Sequence, residues 1–272
     1  MKRVYISADL EGVAGVVHAE HTHRDGREHD AARKLMTAEV NAAVEGALAG
    51  GATEVVVNDA HGGSMNILPE ELHSKALLIT GAPKPLSMME GIQQVDHYNC
   101  AMFVGYHSAM GRRGVLSHTY SGSVVREVRV NGRMMGESGI NALVAGHFRV
   151  PVTLVTGDHR ACQEAEKLLP GILTAPVKEA IGRYAARGMH PEKARELIKE
   201  KAKQAMGVSL QPFKLEKPLR LELSFLNSGQ AEAAALLPGV EWIDSVTLGW
   251  TAPDAETIFR ILRVLINLGR GL

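Results

Sequence analysis

The sequence predicts an α/β fold, with a mainly parallel β-sheet flanked by helices and a second, smaller α+β domain. Short, continuous apolar runs alternate with stretches of helical periodicity through the first two thirds of the 272 residues. Such runs are typical of parallel strands that are buried on both faces. After about Pro176, charged stretches replace this alternation. We therefore expect two domains, at residues 1–178 and 179–272.

The elements of the first domain follow from these patterns. Helical periodicity over residues 30–48 predicts a helix, and the glycine pair that follows should end it. An Asn131-Gly132 pair between two strand-like runs predicts a β-hairpin over residues 123–135. Strands are expected at residues 2–8, 55–57, 76–80, 101–104 and 151–156, and a further helix at residues 137–148.

The second domain is predicted to mix helices with strands. Its charged stretches have helical spacing, whereas its shorter apolar runs favour strands. Helices are expected at residues 177–186, 191–206, 229–237 and 254–268, and strands at residues 219–225 and 242–248.

Composition excludes several classes of protein. Thirty Lys and Arg residues balance thirty Asp and Glu residues, so nothing indicates binding to nucleic acid or to an anionic membrane face. No apolar run reaches membrane-spanning length, and Asp9 interrupts the N-terminal run before it could form the core of a signal peptide. Only Cys100 and Cys162 are present, so we expect no disulfide framework and a cytoplasmic location.

Carboxylates and imidazoles stand where three of the predicted strands end. Asp9 and Glu11 follow the first strand, Asp59 and His61 the second, and His107 the fourth. Ligands of an open parallel sheet bind beyond the carboxyl ends of its strands, so these side chains should meet. Two carboxylates one residue apart repel each other unless a cation lies between them. Oxygen and imidazole ligands suit zinc, and one Asp could bridge two ions that hold a water nucleophile.

Each of these residues also has a purely structural interpretation. Asp9 and Glu11 could accept hydrogen bonds from amides of the following loop, and Asp59 with His61 could form an Asx turn. His107 could be a buried histidine whose hydrogen bonds are satisfied. The metal site is favoured because all three structural interpretations would have to hold together at one edge of the sheet.

Other polar residues are open to more than one role. His118 could move a proton during hydrolysis, since the pKa of a histidine lies near neutrality. Glu137 begins a predicted helix, where it either interacts favourably with the helix dipole or adds a carboxylate to the metal site. The histidines of residues 18–29 lack a helix-supported zinc spacing, so we expect a solvated loop there.

Six short motifs occur in order along the chain: SADLEG at residues 7–12, VNDAH at 57–61, KPLSMMEG at 84–91, GYH at 105–107, GVLSH at 114–118 and GESGIN at 136–141. In this order they resemble the bacterial D-aminopeptidase family of the dipeptide-transport operon. The likeness continues through residues 157–160 and 229–232, so it covers nearly the whole chain.

The resemblance implies a zinc metallopeptidase that releases N-terminal D-amino acids from short peptides. It implies two zinc ions per subunit and a ring-built homodecamer around a chamber, with subunit contacts expected from residues 179–272. The implied metal ligands are Asp9, which would bridge the ions, Glu11, His61, His107 and Glu137, and the implied catalytic residue is His118.

Two other functions remain open on the sequence. A dinuclear metal hydrolase of another amide or a phosphoester would use the same ligands, and a non-catalytic metal- or small-ligand-binding protein would use them structurally. Asp59 could orient His61 as a neighbouring carboxylate. Residues 17–30 are richer in histidine than the family suggests, so they could alter the preferred peptide if they border the site.

Overall fold

The structure is a computed structural model that describes residues 2–94 and 97–271. In chain order the strands are β1 (Arg3–Ala8), β2 (Glu54–Asp59), β3 (Ala76–Ile79), β4 (Cys100–Tyr106), β5 (Val125–Val130), β6 (Arg133–Met134), β7 (Val152–Asp158), β8 (Leu173–Gly182), β9 (Ala185–Gly188), β10 (Leu219–Phe225), β11 (Glu241–Trp242) and β12 (Thr247–Ala252). The helices are α1 (Ala19–Thr22), α2 (His29–Ala49), α3 (Glu137–His147), α4 (His159–Leu168), α5 (Pro191–Ala205), α6 (Ser228–Ala234) and α7 (Ala255–Gly269), and a 3-10 turn spans Ser87–Met89.

The first sheet has the order β3-β2-β1-β4-β7-β8-β9. Its neighbouring strands are parallel except β8 and β9, which form an antiparallel hairpin at one edge. The predicted α/β class with a mainly parallel sheet is therefore confirmed. Because β1 pairs with β2 on one side and β4 on the other, the loops that follow these three strands lie side by side.

Both faces of the first sheet are covered, which explains the continuous apolar runs. Along β1, Val4 and Ile6 belong to the buried cluster that includes α2 and α5, whereas Tyr5 belongs to the cluster shared with the second sheet. Successive side chains of a strand point to opposite faces, so each must be apolar when both faces are buried. None of the helices in the described part of the chain has the length and hydrophobicity needed to span a bilayer.

The second sheet is antiparallel, with the order β11-β12-β10-β5-β6. Asn131 and Gly132 connect β5 to β6 with φ angles of 51° and 72°, as a two-residue turn between twisted strands requires. The hairpin predicted from this pair is confirmed. The predicted domain boundary near residue 178 falls within β8, and the second sheet takes strands from both sides of it.

Two predictions of secondary structure were wrong. Residues 177–186, predicted to be helical, form most of β8 and the start of β9. Parallel pairing with β7 and the burial of Val177 between layers decide this conformation, although the segment is charged. The strand predicted at residues 242–248 is interrupted after β11, where the Asp244 carboxylate accepts a hydrogen bond from the amide of Val246 and turns the chain.

Candidate metal centre

All six site residues predicted from the sequence meet at the carboxyl edge of the first sheet. Asp9 and Glu11 follow β1, His61 follows β2, His107 follows β4, His118 lies in the loop before β5, and Glu137 begins α3. Each of these segments ends or starts at the same edge because the strands are parallel neighbours.

One group of three ligand-type side chains consists of Asp9, Glu11 and His61. Nδ1 of His61 lies 2.8 Å from Oε2 of Glu11 and 3.3 Å from Oδ1 of Asp9. Both carboxylates are buried, and the His61 side chain is 12% exposed. Nitrogen and oxygen atoms thus converge on one small space that is largely shielded from water.

The second group surrounds the other oxygen of Asp9. Nε2 of His107 lies 3.4 Å from Oδ2 of Asp9 and 3.3 Å from Oε2 of Glu137. Nε2 of His118 lies 3.7 Å from Oε1 of Glu137 and 4.0 Å from Oε1 of Glu11. The His107 and His118 rings stack with their centroids 4.1 Å apart. Asp9 therefore stands between the groups, with one oxygen facing each.

A backbone carbonyl orients each of the three histidine rings. The pairs are His61 Nε2 with Thr22 O at 2.8 Å, His107 Nδ1 with Ser108 O at 3.0 Å, and His118 Nδ1 with Leu116 O at 2.9 Å. A carbonyl only accepts, so the ring nitrogen facing it must donate. In the neutral imidazole the opposite nitrogen then carries a lone pair aimed at the carboxylates. Lone pairs facing carboxylate oxygens require a proton or a cation between them.

Unpartnered buried atoms provide a direct test of whether this donor set fits a metal. Oδ2 of Asp9, Oε2 of Glu11 and Nε2 of His107 are buried and make no hydrogen bond within the described residues. Leaving such a group unsatisfied costs about 1–3 kcal/mol, and more when it is charged. All three atoms point into the spaces described above, and mixed carboxylate and imidazole donors suit zinc. The residues therefore fit a divalent transition metal.

The ionisation of the cluster reflects the same crowding. Burial, followed by the negative charge of Glu11, raises the pKa of Asp9 to about 7. Burial opposes protonation of His107, but the negative charge of Glu137, its hydrogen bond and the charges of Asp9 and Glu11 together outweigh burial and raise the pKa of that ring to about 10. Burial and the charge of His107 lower the pKa of His118. Without a metal, protons shared among these groups balance the excess negative charge.

Two glycines allow the carboxyl ends of β1 and β4 to approach each other closely. The amide of Gly12 donates to the carbonyl of Gly105 at 2.7 Å. A Cβ at Gly12 would lie 2.0 Å from the carbonyl oxygen of Tyr106, so no larger residue fits without a shift of the backbone. Gly105 has φ +74°, and a Cβ there would lie 2.2 Å from the carbonyl oxygen of Asp9. This close approach brings Asp9 and His107 together.

Lys178 holds the loop that carries Asp9 and Glu11, a role that the sequence did not reveal. Its ammonium group is buried, and it donates to the carbonyl oxygens of Glu11, Val13 and Val16. Burial lowers the pKa of Lys178 to about 8. A lysine in a charged segment normally lies in solvent, so no local signal identifies such a residue.

The structure does not support the suggested role of Asp59 in orienting His61. Its carboxylate accepts hydrogen bonds from the amides of Asn66 and Ile67 and from the side chain of Asn66. Asn66 in turn donates to the carbonyl of His61, so Asp59 shapes the backbone of this loop. The His61 ring is instead oriented by the Thr22 carbonyl at the end of α1.

The histidine-rich segment is only in part the solvated loop that was predicted. His18 and His23 are exposed, as expected. The His18 side chain nevertheless accepts a hydrogen bond from the amide of Glu20 and so caps α1. His29 and Thr22 are 6% and 8% exposed, so these two residues pack against the rest of the protein.

Two cavities adjoin the six residues, and both are lined in part by Glu11, His61 and His118. The larger has a volume of about 930 Å³, and the histidine-rich segment forms one wall of it. The smaller has a volume of about 200 Å³ and lies between the ligand-type carboxylates, the 3-10 turn and α7. A peptide could therefore reach these residues from a roomy cavity and extend into a smaller one.

Comparisons with known proteins agree over nearly the whole chain. The peptidase M55 family model, described as D-aminopeptidase, matches residues 1–264. A D-aminopeptidase of Bacillus subtilis (strain 168) is 39% identical over 269 residues, which cover 98% of this chain and 97% of that protein. A solved structure is described as the Zn-dependent D-aminopeptidase DppA from Bacillus subtilis, a self-compartmentalizing protease. It matches with a TM-score of 0.96 and 37% identity, over 99% of this chain and 98% of that one.

Proposed function

The chain belongs to the D-aminopeptidase family, and we propose that it is a zinc-dependent aminopeptidase that releases N-terminal D-amino acids from short peptides. One observation carries the mechanism. Asp9 belongs to one group of ligand-type side chains and faces His107 of the other, and buried atoms of both groups have no hydrogen-bond partner within the described residues. The fit to paired cations supports a hydrolase of this family over a protein without catalytic metals.

Two zinc ions per chain would be held by five side chains. Asp9 would contribute to both positions, with Glu11 and His61 completing one, and His107 with Glu137 the other. Bound zinc would polarise the scissile carbonyl and lower the pKa of water toward neutrality. The carbonyl contacts of His61 and His107 support this assignment, since they direct a lone pair of each ring toward the carboxylates.

His118 would transfer the proton during hydrolysis. Its Nδ1 donates to the Leu116 carbonyl, so Nε2 is the atom that exchanges a proton. Nε2 faces the carboxylates of Glu11 and Glu137 at 4.0 and 3.7 Å, beyond hydrogen-bond distance, so neither carboxylate oxygen occupies its lone pair. Burial lowers the pKa of His118, which favours the neutral ring that a general base requires. Nε2 would take the proton of the attacking water and pass it to the leaving amine.

A substrate panel tests the activity. We expect D-alanyl amides and peptides to be hydrolysed faster than their L counterparts, with loss of activity in chelator and recovery when zinc is restored. Aryl phosphates should not be hydrolysed. Zinc-independent hydrolysis, or hydrolysis of the phosphates in place of the amides, would contradict the proposal.

Zinc content tests the paired site separately from activity. Glu11→Gln and Glu137→Gln should each reduce bound zinc from two ions per chain toward one, whereas Asp9→Asn should weaken both. Asp25→Asn is the matched control, because Asp25 lines the larger cavity outside both groups of ligand-type residues. Full zinc content in Asp9→Asn would refute the bridging role.

We further propose a homo-oligomer, a decamer as the family resemblance implies, with residues 179–272 supplying subunit contacts. The solved relative is described as self-compartmentalizing. Large apolar side chains in this region support the location of the contacts, since Ile181, Trp242 and Leu236 are 70%, 51% and 80% exposed. Sedimentation should give ten times the 29.3 kDa mass of the chain. The buried free thiols of Cys100 and Cys162 support a cytoplasmic location.

A further inference from the structure

Two arginines of the last helix line the smaller cavity beside the candidate metal centre. Arg263 lies on α7, and Arg270 is the residue that caps the helix. They are seven residues apart, which is about two helical turns, so both side chains project from the same face of the helix. Asp9, Glu11 and Glu137 line other parts of the same cavity.

Tyr120 fixes the position of both guanidinium groups relative to the site. Arg263 lies over the Tyr120 ring at 5.7 Å, and Arg270 donates to the Tyr120 carbonyl at 3.3 Å and to the Ser121 hydroxyl at 3.3 Å. The amide of Tyr120 in turn donates to Oε1 of Glu137 at 2.6 Å. The arginines are therefore connected to the ligand-type cluster through one residue.

Neither arginine has an acidic partner among the residues that the structure describes. Within residues 2–94 and 97–271, no carboxylate oxygen lies within 4.0 Å of the side-chain nitrogens of Arg263 or Arg270, whereas Arg260, one turn earlier, pairs with Glu256 at 2.6 Å. The carboxylates in the cavity face histidines instead. Partial burial and the positive charge of Arg263 lower the pKa of Arg270.

We propose that Arg263 and Arg270 form an anion subsite that binds a carboxylate of the peptide substrate. A guanidinium group presents parallel donors that match the two oxygens of a carboxylate. The cavity of about 200 Å³ has room for a small part of a peptide, and side chains assigned to the reaction also line it. This inference rests on the proposed function and names the substrate class: short peptides that carry a negative charge close to the scissile bond.

That carboxylate has two chemical sources, which matched substrates distinguish. In a dipeptide it is the free α-carboxylate of the second residue, so D-alanyl-D-alanine is compared with D-alanyl-D-alanine amide. In an acidic peptide it is the side chain of the first residue, so D-glutamyl-D-alanine amide is compared with D-glutaminyl-D-alanine amide. For each pair, the ratio of kcat/KM for the charged substrate to that for the neutral one is measured at pH 7.5.

The test measures these ratios in the wild type, in Arg263→Gln and in Arg270→Gln. In one pair or both, the wild type should favour the charged substrate, and each variant should lower that ratio by about 10–100-fold, as expected for a charge-assisted contact. Arg263→Lys and Arg270→Lys keep the charge and should retain part of the preference. Arg260→Gln is the matched control on the same helix and should leave both ratios unchanged.

Several outcomes would overturn the subsite. Equal losses for charged and neutral substrates would assign the arginines a purely structural role, and unchanged ratios would show that no carboxylate binds there. If a Gln variant fails to fold, the wild type alone still tests the proposal. A wild type that does not favour the charged substrate in either pair refutes the subsite. Hydrolysis of neutral amides without any such preference would refute only the subsite, whereas a zinc-loaded wild type that hydrolyses no amide would refute the proposed function.

Discussion

Replacing Lys178 by methionine should destabilise the loop that carries Asp9 and Glu11. Methionine has a similar length and fills much of the same volume, but it cannot donate a hydrogen bond. The variant therefore removes the donors to the carbonyl groups of Glu11, Val13 and Val16 and leaves the packing nearly intact.

The expected loss follows from these three contacts. Each buried carbonyl left without a donor costs about 1–3 kcal/mol. Part of this is offset because the ammonium group no longer has to be buried, a cost visible in the pKa of Lys178, which burial lowers to about 8. The net loss should be about 3–5 kcal/mol in the free energy of unfolding, the range for breaking a buried charged interaction. Since a typical domain has about 5–15 kcal/mol in total, most of the protein should remain folded.

Urea unfolding of the zinc-free protein at pH 7 measures this change, and zinc titration of the folded variant measures the effect on the site. Zinc affinity should fall because the backbone of Glu11 is no longer held. Lys193→Met is the control, since Lys193 is exposed on α5 and pairs with the exposed Glu196, and its unfolding midpoint should match the wild type. A loss below about 1 kcal/mol in Lys178→Met, with unchanged zinc affinity, would refute the role given to this ammonium group.

Three further predictions concern stability and catalysis. Burial raises the pKa of Glu39 to about 7, so the folded protein holds a proton that the unfolded chain releases near pH 4.5. The contribution of Glu39 to the free energy of unfolding should therefore fall by up to about 3 kcal/mol as the pH rises from 4.5 to 7, and urea titrations should show that Glu39→Gln lacks this contribution. Gly12→Ala should cost about 3 kcal/mol or more in thermal or urea unfolding, because its Cβ would meet the Tyr106 carbonyl. Gly63→Ala is the control and should cost much less, because the nearest atom to its Cβ would be the end of a flexible side chain at 3.7 Å. Equal losses of stability in Gly12→Ala and Gly63→Ala would contradict the steric argument. His118→Ala should lower kcat at least about 100-fold with two zinc ions still bound. Loss of zinc in that variant would instead make His118 a ligand.

The core of the fold and the place of the candidate site could be predicted from local patterns. Strands β1, β2 and β4 follow from continuous apolar runs, because a strand buried on both faces has no polar positions. The carboxyl ends of parallel neighbours share an edge, so the side chains after these strands, among them Asp9, His61 and His107, were expected to meet there. Glu137 and His118 could be assigned to the site only through the family resemblance. Glu137 begins a helix and His118 lies in a loop, and neither position indicates by itself that the side chain reaches this edge.

Contacts between residues that are far apart in the sequence could not be predicted from local patterns and depend on the tertiary structure. The charged residues 177–186 form strands because the edge of β7 is available for pairing. The composition of the segment itself gives no information about that partner strand. Lys178 and Val13 are 165 positions apart. The partners of His61 and Lys178 are backbone carbonyls, which every residue has, so no residue type marks them. Arg263 and Arg270 face the site only because the second sheet sets α7 against it. Residue types and their spacing thus determined the strands and the edge they share, whereas the orientation of each ring and the walls of each cavity depended on how the layers pack.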